Sequence, residues 1–134
     1  MAEVDAVLGV KGAPSGYSDR ATLVARRIEA GDCLVSENDG VVVGFLTMYR
    51  RSFFGRDFVE LLAVDEGHRR EGIASGLLRA SIHAATTSQL FTSTNSSNQP
   101  MLDLLRNEQW LFSGELVGLD VDDPELVFYK DLAP

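Results

Sequence analysis

The chain has 134 residues, 45% of them apolar, and a formal net charge of −8. That length fits one domain, spanning 1–134, with a core large enough to need neither disulfide nor structural metal. The acidic balance argues against a general nucleic-acid binder, which needs Lys and Arg against phosphate, and against an anionic membrane surface.

Cys33 is the sole cysteine, which excludes an internal disulfide and a thiolate metal cluster. His68 and His83 do not make a metal site either. The start, "MAEVDAVLGVKG", has acidic residues early and lacks the basic start and long apolar run of a secretory signal. No window of about 18 uncharged apolar residues offers a membrane span. The expectation is a soluble, cytoplasmic protein.

In chain order, a short apolar segment at 3–9 reads as a helix and "GAPSGYSD" at 12–19 as a turn-rich stretch. A helix is expected over 19–30, with Leu23, Ile28 and the alanines on one side, Arg26, Arg27 and Glu29 elsewhere, and Gly31 as its stop. Strands follow at 32–37 and 41–51, joined by "NDG", the residues of a tight hairpin. "SFFGRD" reads as a loop. "FVELLAV" at 58–64 is apolar on both alternating faces except at Glu60, as in a central strand covered on both sides.

After a turn at 65–71, Ile73, Leu77, Leu78 and Ile82 mark a helix over 72–85. A strand at 90–94 leads to the loop "NSSNQP", whose Asn98 suits a helix cap with Pro100 in the first turn. "MLDLLRNEQ" continues that helix. Strands at 110–119 and 125–132 flank the acidic turn "DVDDPE". The order describes a mixed α/β sheet, not a bundle or sandwich.

The stretch "VDEGHRREGIASGLL", 64–78, carries the chemistry. It runs from a strand through a turn into a helix N-terminus, where unpaired N–H groups and the helix dipole favour an anion. Gly72 and Ala74 leave room for a ligand, and Arg69 and Arg70 add charge, so the turn suits a phosphate or pyrophosphate. An ordinary strand-to-helix turn with solvated arginines has the same composition. Gly67 and Gly72 have the spacing of a Walker A loop, but Ile73 and Ala74 stand where Lys and Ser or Thr are required. The dinucleotide fingerprint fails for want of glycines and of an acidic residue near "TSTN". A nucleophile elbow fails because the middle of "GIASG" is Ala74.

"RREGIA", 69–74, does fit the Arg/Gln-x-x-Gly-x-Gly/Ala signature, and the chain resembles the GNAT family of N-acetyltransferases. "ELLAVDEGH" is similar to that family's fourth strand and its exit, and "TNSSNQPMLDLLRNEQWLFSGEL" to its second conserved block. "DDPELVFYK" resembles the last strand of one subgroup, and the order of elements agrees from about 32 to 130. The resemblance implies a GNAT-like, mostly antiparallel sheet flanked by helices, with splayed central strands and the first strand missing or vestigial.

It also implies acetyl-CoA as acyl donor in a V-shaped gap. Its pantetheine arm would meet backbone groups of Leu62, Ala63 and Val64. Its pyrophosphate would meet Arg69, Arg70, Glu71, Gly72, Ile73 and Ala74, with Asn98 nearby if not only a cap. The implied reaction is attack of an amine on the thioester. Glu60, the one carboxylate in an apolar strand, is the candidate general base, since burial raises a carboxylate's pKa toward a useful range. The alternative is a structural ion pair with Arg50 or Arg51.

The family's tyrosine acid is replaced by Leu105, and its Gly-Phe pair by Gln109–Trp110. Tyr49 and Tyr129 have no evident place near the thiol. A non-catalytic CoA-binding or partner-binding module on the same fold is therefore the rival reading.

"RRSFFGR" at 50–56 suits a partly packed hairpin loop better than base stacking in so acidic a chain. "LDVDDPE" suits a solvated turn or a seat for a cationic amine. Cys33 reads as a small buried hydrophobe. The sequence leaves the acceptor and the oligomeric state open, a homodimer included.

Overall fold

The computed structural model describes residues 20–132. The helix expected at 3–9, the turn-rich stretch at 12–19 and the first strand expected to be missing or vestigial all lie outside the described residues. Within them the chain runs α1 (Arg20–Glu29), β1 (Cys33–Asn38), β2 (Val41–Phe53), β3 (Arg56–Val64), a 3-10 turn (Glu66–His68), α2 (Ile73–Ala84), β4 (Gln89–Asn95), α3 (Gln99–Asn107), β5 (Leu111–Leu116) and β6 (Glu125–Asp131). The six strands form one sheet in the order β1-β2-β3-β4-β6-β5. Only β3 and β4 run parallel; the other neighbours are antiparallel.

Each face of the sheet carries a core. On one, Leu23 and Val24 of α1 pack on Val42, Phe45 and Leu61. On the other, Leu77 and Leu78 of α2 and Leu102 and Leu105 of α3 pack on Leu46, Met48, Val59, Leu90 and Phe128. β3 is thus covered on both sides, as its apolar run predicts. Cys33 is half-buried beside the α1 core, where burial pushes its thiol pKa up.

Two features set α2 against the sheet. Gly44 of β2 lies so close to the helix that a Cβ would stand 2.9 Å from Ile73 Cγ2, 3.2 Å from the Ala63 carbonyl oxygen and 3.3 Å from Leu77 Cδ1. At the other end, buried Asp57 accepts hydrogen bonds from Thr86 N at 2.7 Å, Thr86 Oγ1 and Arg51 N at 3.0 Å, and Arg50 NH1 at 3.1 Å. Arg50 also donates to Asp32 at 2.8 Å and to the Ala84 carbonyl at 2.7 Å. Burial works against the ionised form of Asp57, but the four donors outweigh it and hold the carboxyl below the usual range.

Several boundaries differ from the sequence reading. The loop expected at 52–57 contracts to a two-residue turn, because Phe54 and Gly55 both take positive φ (51° and 80°) and close a tight hairpin. β2 therefore reaches Phe53 and β3 starts at Arg56. The buried side of α1 is Leu23, Val24 and Arg27, while Ile28 is exposed.

The helix expected to run through Gln109 stops at Asn107. Trp110 N donates to Leu105 O at 2.9 Å and Gln109 N to Arg106 O at 3.0 Å, with Gln109 left-handed at φ 62°. That is a Schellman stop, built on a glutamine at a cost of about 1 kcal/mol relative to glycine. The strand expected over 110–119 is confined to Leu111–Leu116. No helix among the described residues is long and apolar enough to cross a membrane.

Candidate active site

β3 and β4 pair only from Asp57 to Val59 against Leu90 to Thr92. Thr92 Oγ1 donates to the Val59 carbonyl at 3.1 Å at the last rung. Beyond it the strands part. β3 stays paired with β2 as far as Val64, and β4 stays paired with β6 as far as Asn95. A slot opens between them, walled on the β3 side by the free backbone edge of residues 60–64. Leu62, Ala63 and Val64 line that edge, and alternate backbone groups there have no partner on β4.

The parting coincides with a bulge. Thr47 faces Leu61 and Met48 faces Val59, so Glu60 is an extra residue with no partner on β2. A bulge re-aims side chains. Val59 packs in the α2 core, whereas Leu61 packs in the α1 core and Glu60 reaches α1. There Arg27 grips it, Nε to Oε1 at 2.6 Å and an Nη to Oε2 at 3.0 Å, both side chains being 8% exposed. The Arg27 guanidinium also lies 3.9 Å from the Tyr49 ring centre. An ion pair does exist at Glu60, but with Arg27; Arg50 and Arg51 serve Asp57 instead. Each carboxylate oxygen has two acceptor sites, so two such hydrogen bonds leave Glu60 capacity for a water.

The exit from β3 leads to the turn. Asp65 accepts from Gly67 N at 3.2 Å. Arg69 and Arg70 are exposed, Arg69 reaching back to the Val64 carbonyl at 3.4 Å. Arg70 and Gly72 both take left-handed conformations, φ 67° and 80°. Gly72 is the residue before α2, so the helix starts without a side-chain cap. The first-turn amides, from Ile73 and Ala74, are therefore left for another acceptor. Nothing stands within 4 Å of where a Cβ on Gly72 would be. This geometry fits a pyrophosphate at residues 69–74.

Across the slot, Asn98 caps α3, accepting from Met101 N at 3.3 Å, and is exposed. The loop before it is clamped to the acidic turn. Asp123 accepts from Ser96 Oγ at 2.9 Å, Ser97 N at 3.0 Å and Ser97 Oγ at 2.6 Å. Asn95 Nδ2 donates to Asp120 at 2.8 Å and to the Asp123 carbonyl at 3.2 Å. The Ser97 and Ser96 hydroxyls, foremost, hold the Asp123 carboxyl below the usual range. "LDVDDPE" is thus anchored at the mouth of the slot.

Leu105 is fully buried among core residues. Tyr49 lies under Arg27, and Tyr129 stacks on Phe91 at 5.5 Å. Sequence reasoning missed Arg27, Gly44 and Asp123. For Arg27 there was a signal: it sits four residues after Leu23, on the buried helix face.

Comparison with known proteins agrees with the fold. The family model of the Acetyltransferase (GNAT) family matches residues 10–108. A GNAT acetyltransferase structure from Bacillus cereus is 30% identical with a TM-score of 0.85, covering 100% of this chain and 94% of that one. Ard1 from Thermoplasma volcanium is 17% identical with a TM-score of 0.79, covering 99% and 93%. The yncA protein from Salmonella typhimurium, solved with its cofactor acetyl-CoA, is 21% identical with a TM-score of 0.71, covering 96% and 83%. No curated protein matches the sequence.

The chain belongs to the GNAT family of acetyltransferases. The acyl donor of that family is acetyl-CoA.

Proposed function

We propose that residues 1–134 act as one N-acetyltransferase domain that moves the acetyl group of acetyl-CoA to a primary amine of a small molecule or peptide. The observation that carries this is the parting of β3 from β4 at Glu60, with the free end of β3 leading through the turn at 65–72 to the uncapped start of α2. An extended arm fits the slot along Leu62, Ala63 and Val64. A pyrophosphate fits the amides and cations of Arg69, Arg70, Glu71, Gly72, Ile73 and Ala74. Asn98 sits on the opposite wall.

In the reaction the amine nitrogen attacks the thioester carbonyl, the carbon–sulfur bond breaks, and the amine loses a proton. Glu60 takes that proton through a water, and Arg27 holds the carboxylate in place. The leaving thiolate takes its proton from solvent, since Leu105 has none to give. Thiol release from acetyl-CoA, measured with and without a panel of primary amines, tests this.

The buried leucine at 105 favours a second reading, a CoA-binding module without turnover. Acetyl-CoA binding with no amine-dependent release selects that module.

A further inference from the structure

One side of the sheet carries a feature the reaction does not use. Tyr49, Phe58, Phe91 and Tyr129 stand in register on four consecutive strands, β2, β3, β4 and β6. Register partners project to the same face, and Arg27 of α1 on Tyr49 identifies it as the α1 face. Phe53 comes over the row from the hairpin tip, 5.1 Å from Phe58 and 5.0 Å from Phe91.

Beside it is a groove of about 370 Å³, with Phe91 and Val127 as floor, Phe53 and Phe54 on one side and β5 residues 113–116 on the other. Pockets of this size suit small organic ligands. Phe91 lies one residue before the last β3–β4 rung. Ser93, on the same face two residues on and roughly 7 Å away, is the first β4 residue at the slot.

We propose that this groove receives the acceptor, and that the acceptor is a primary amine joined by a short linker to an aromatic ring; this rests on the acetyltransferase reading above. Flat apolar walls favour a ring in offset or edge-to-face contact. The step from Phe91 to the slot matches a linker of two or so carbons between ring and nitrogen. A polyamine is a poorer match, because the lining pairs one carboxylate, Glu115, with one cation, Arg56. Arg27 over Tyr49 already shows a cation resting on this row.

The experiment compares kcat/KM for tryptamine and phenethylamine with that for putrescine and a peptide with a free alanine N-terminus, at saturating acetyl-CoA. The aromatic amines are expected to lead by about tenfold or more. Phe91→Leu keeps an apolar side chain of similar size and should raise KM for tryptamine while leaving acetyl-CoA affinity unchanged. Gly114→Val places bulk at the groove, where nothing lies within 4 Å of a new Cβ, and should do the same.

Equal or better rates with putrescine or the peptide overturn the assignment, as does a tryptamine KM unmoved by both variants. Amine-independent acetyl-CoA binding with no thiol release from any amine overturns the transferase reading, and the acceptor assignment with it.

Discussion

Arg27 on α1 and Glu60 on β3 meet in a two-point ion pair where β3 bulges and leaves β4. The pair fixes Glu60 at the head of the slot and ties α1 to the strand that forms its wall. Glu60→Gln preserves size but gives up the charge and one of the two acceptors that face Arg27. It should lower stability by about 1–3 kcal/mol, and kcat of the folded variant should fall by about 10²-fold, the ordinary contribution of a general base. Steady-state thiol release checks this; an unchanged kcat removes Glu60 from the mechanism. Arg27→Ala should instead cost stability, about 3–5 kcal/mol, by stranding a buried carboxylate.

Gly72→Glu should abolish acetyl-CoA binding by putting bulk and negative charge at the helix start. Its φ of 80° adds backbone strain of roughly 1–2 kcal/mol for any side chain. Gly72→Ala carries the same strain without the charge. Calorimetric titration with acetyl-CoA should show that the alanine variant binds and the glutamate variant does not. Equal affinities would remove the pyrophosphate seat.

Asp57→Asn should cost about 2–3 kcal/mol at neutral pH, because four donors lose a charged acceptor. The folded pKa of Asp57 is lowered. Its stabilisation is therefore complete above the unfolded value of about 3.9 and is lost as pH falls through the lower folded value. Urea melts should show the gap between wild type and variant narrowing on acidification below that range. A gap independent of pH would contradict the network.

Asp123→Ala should free the loop from Asn95 to Asn98, which Asp123 holds through two serine hydroxyls and a backbone N–H. Hydrogen exchange should show the Ser97 amide losing protection in the variant. In wild type that protection should hold through mild acid and fail only below the ordinary aspartate range, because the Asp123 carboxyl is held low. Protection unchanged by the substitution would show that the clamp is idle.

The turn at 65–72 and the helix start after it were legible because their signals are local: arginines, small residues and the first apolar position of the helix lie within six positions of one another. The order of elements and the mostly antiparallel sheet followed from the resemblance to the family. Glu60 was visible as the odd residue in an apolar strand, but its partner was not. A bulge breaks the period of two, so alternation could not say that Glu60 and Leu61 share a face. Asp123 was hidden for another reason. An acidic turn has one composition whether it is solvated or bonded, and only the pairing of β4 with β6 brings it to Ser96 and Ser97. The hairpin tip was misread because Phe54 takes a conformation that phenylalanine seldom adopts.

A crystal structure with CoA bound tests the central claim most directly. The account predicts pyrophosphate oxygens within hydrogen-bond distance of amides in residues 69–74, the pantetheine arm between β3 and β4 along Leu62 to Val64, and the sulfur beside Glu60. A CoA held elsewhere on the sheet, with the slot between β3 and β4 empty, would contradict it.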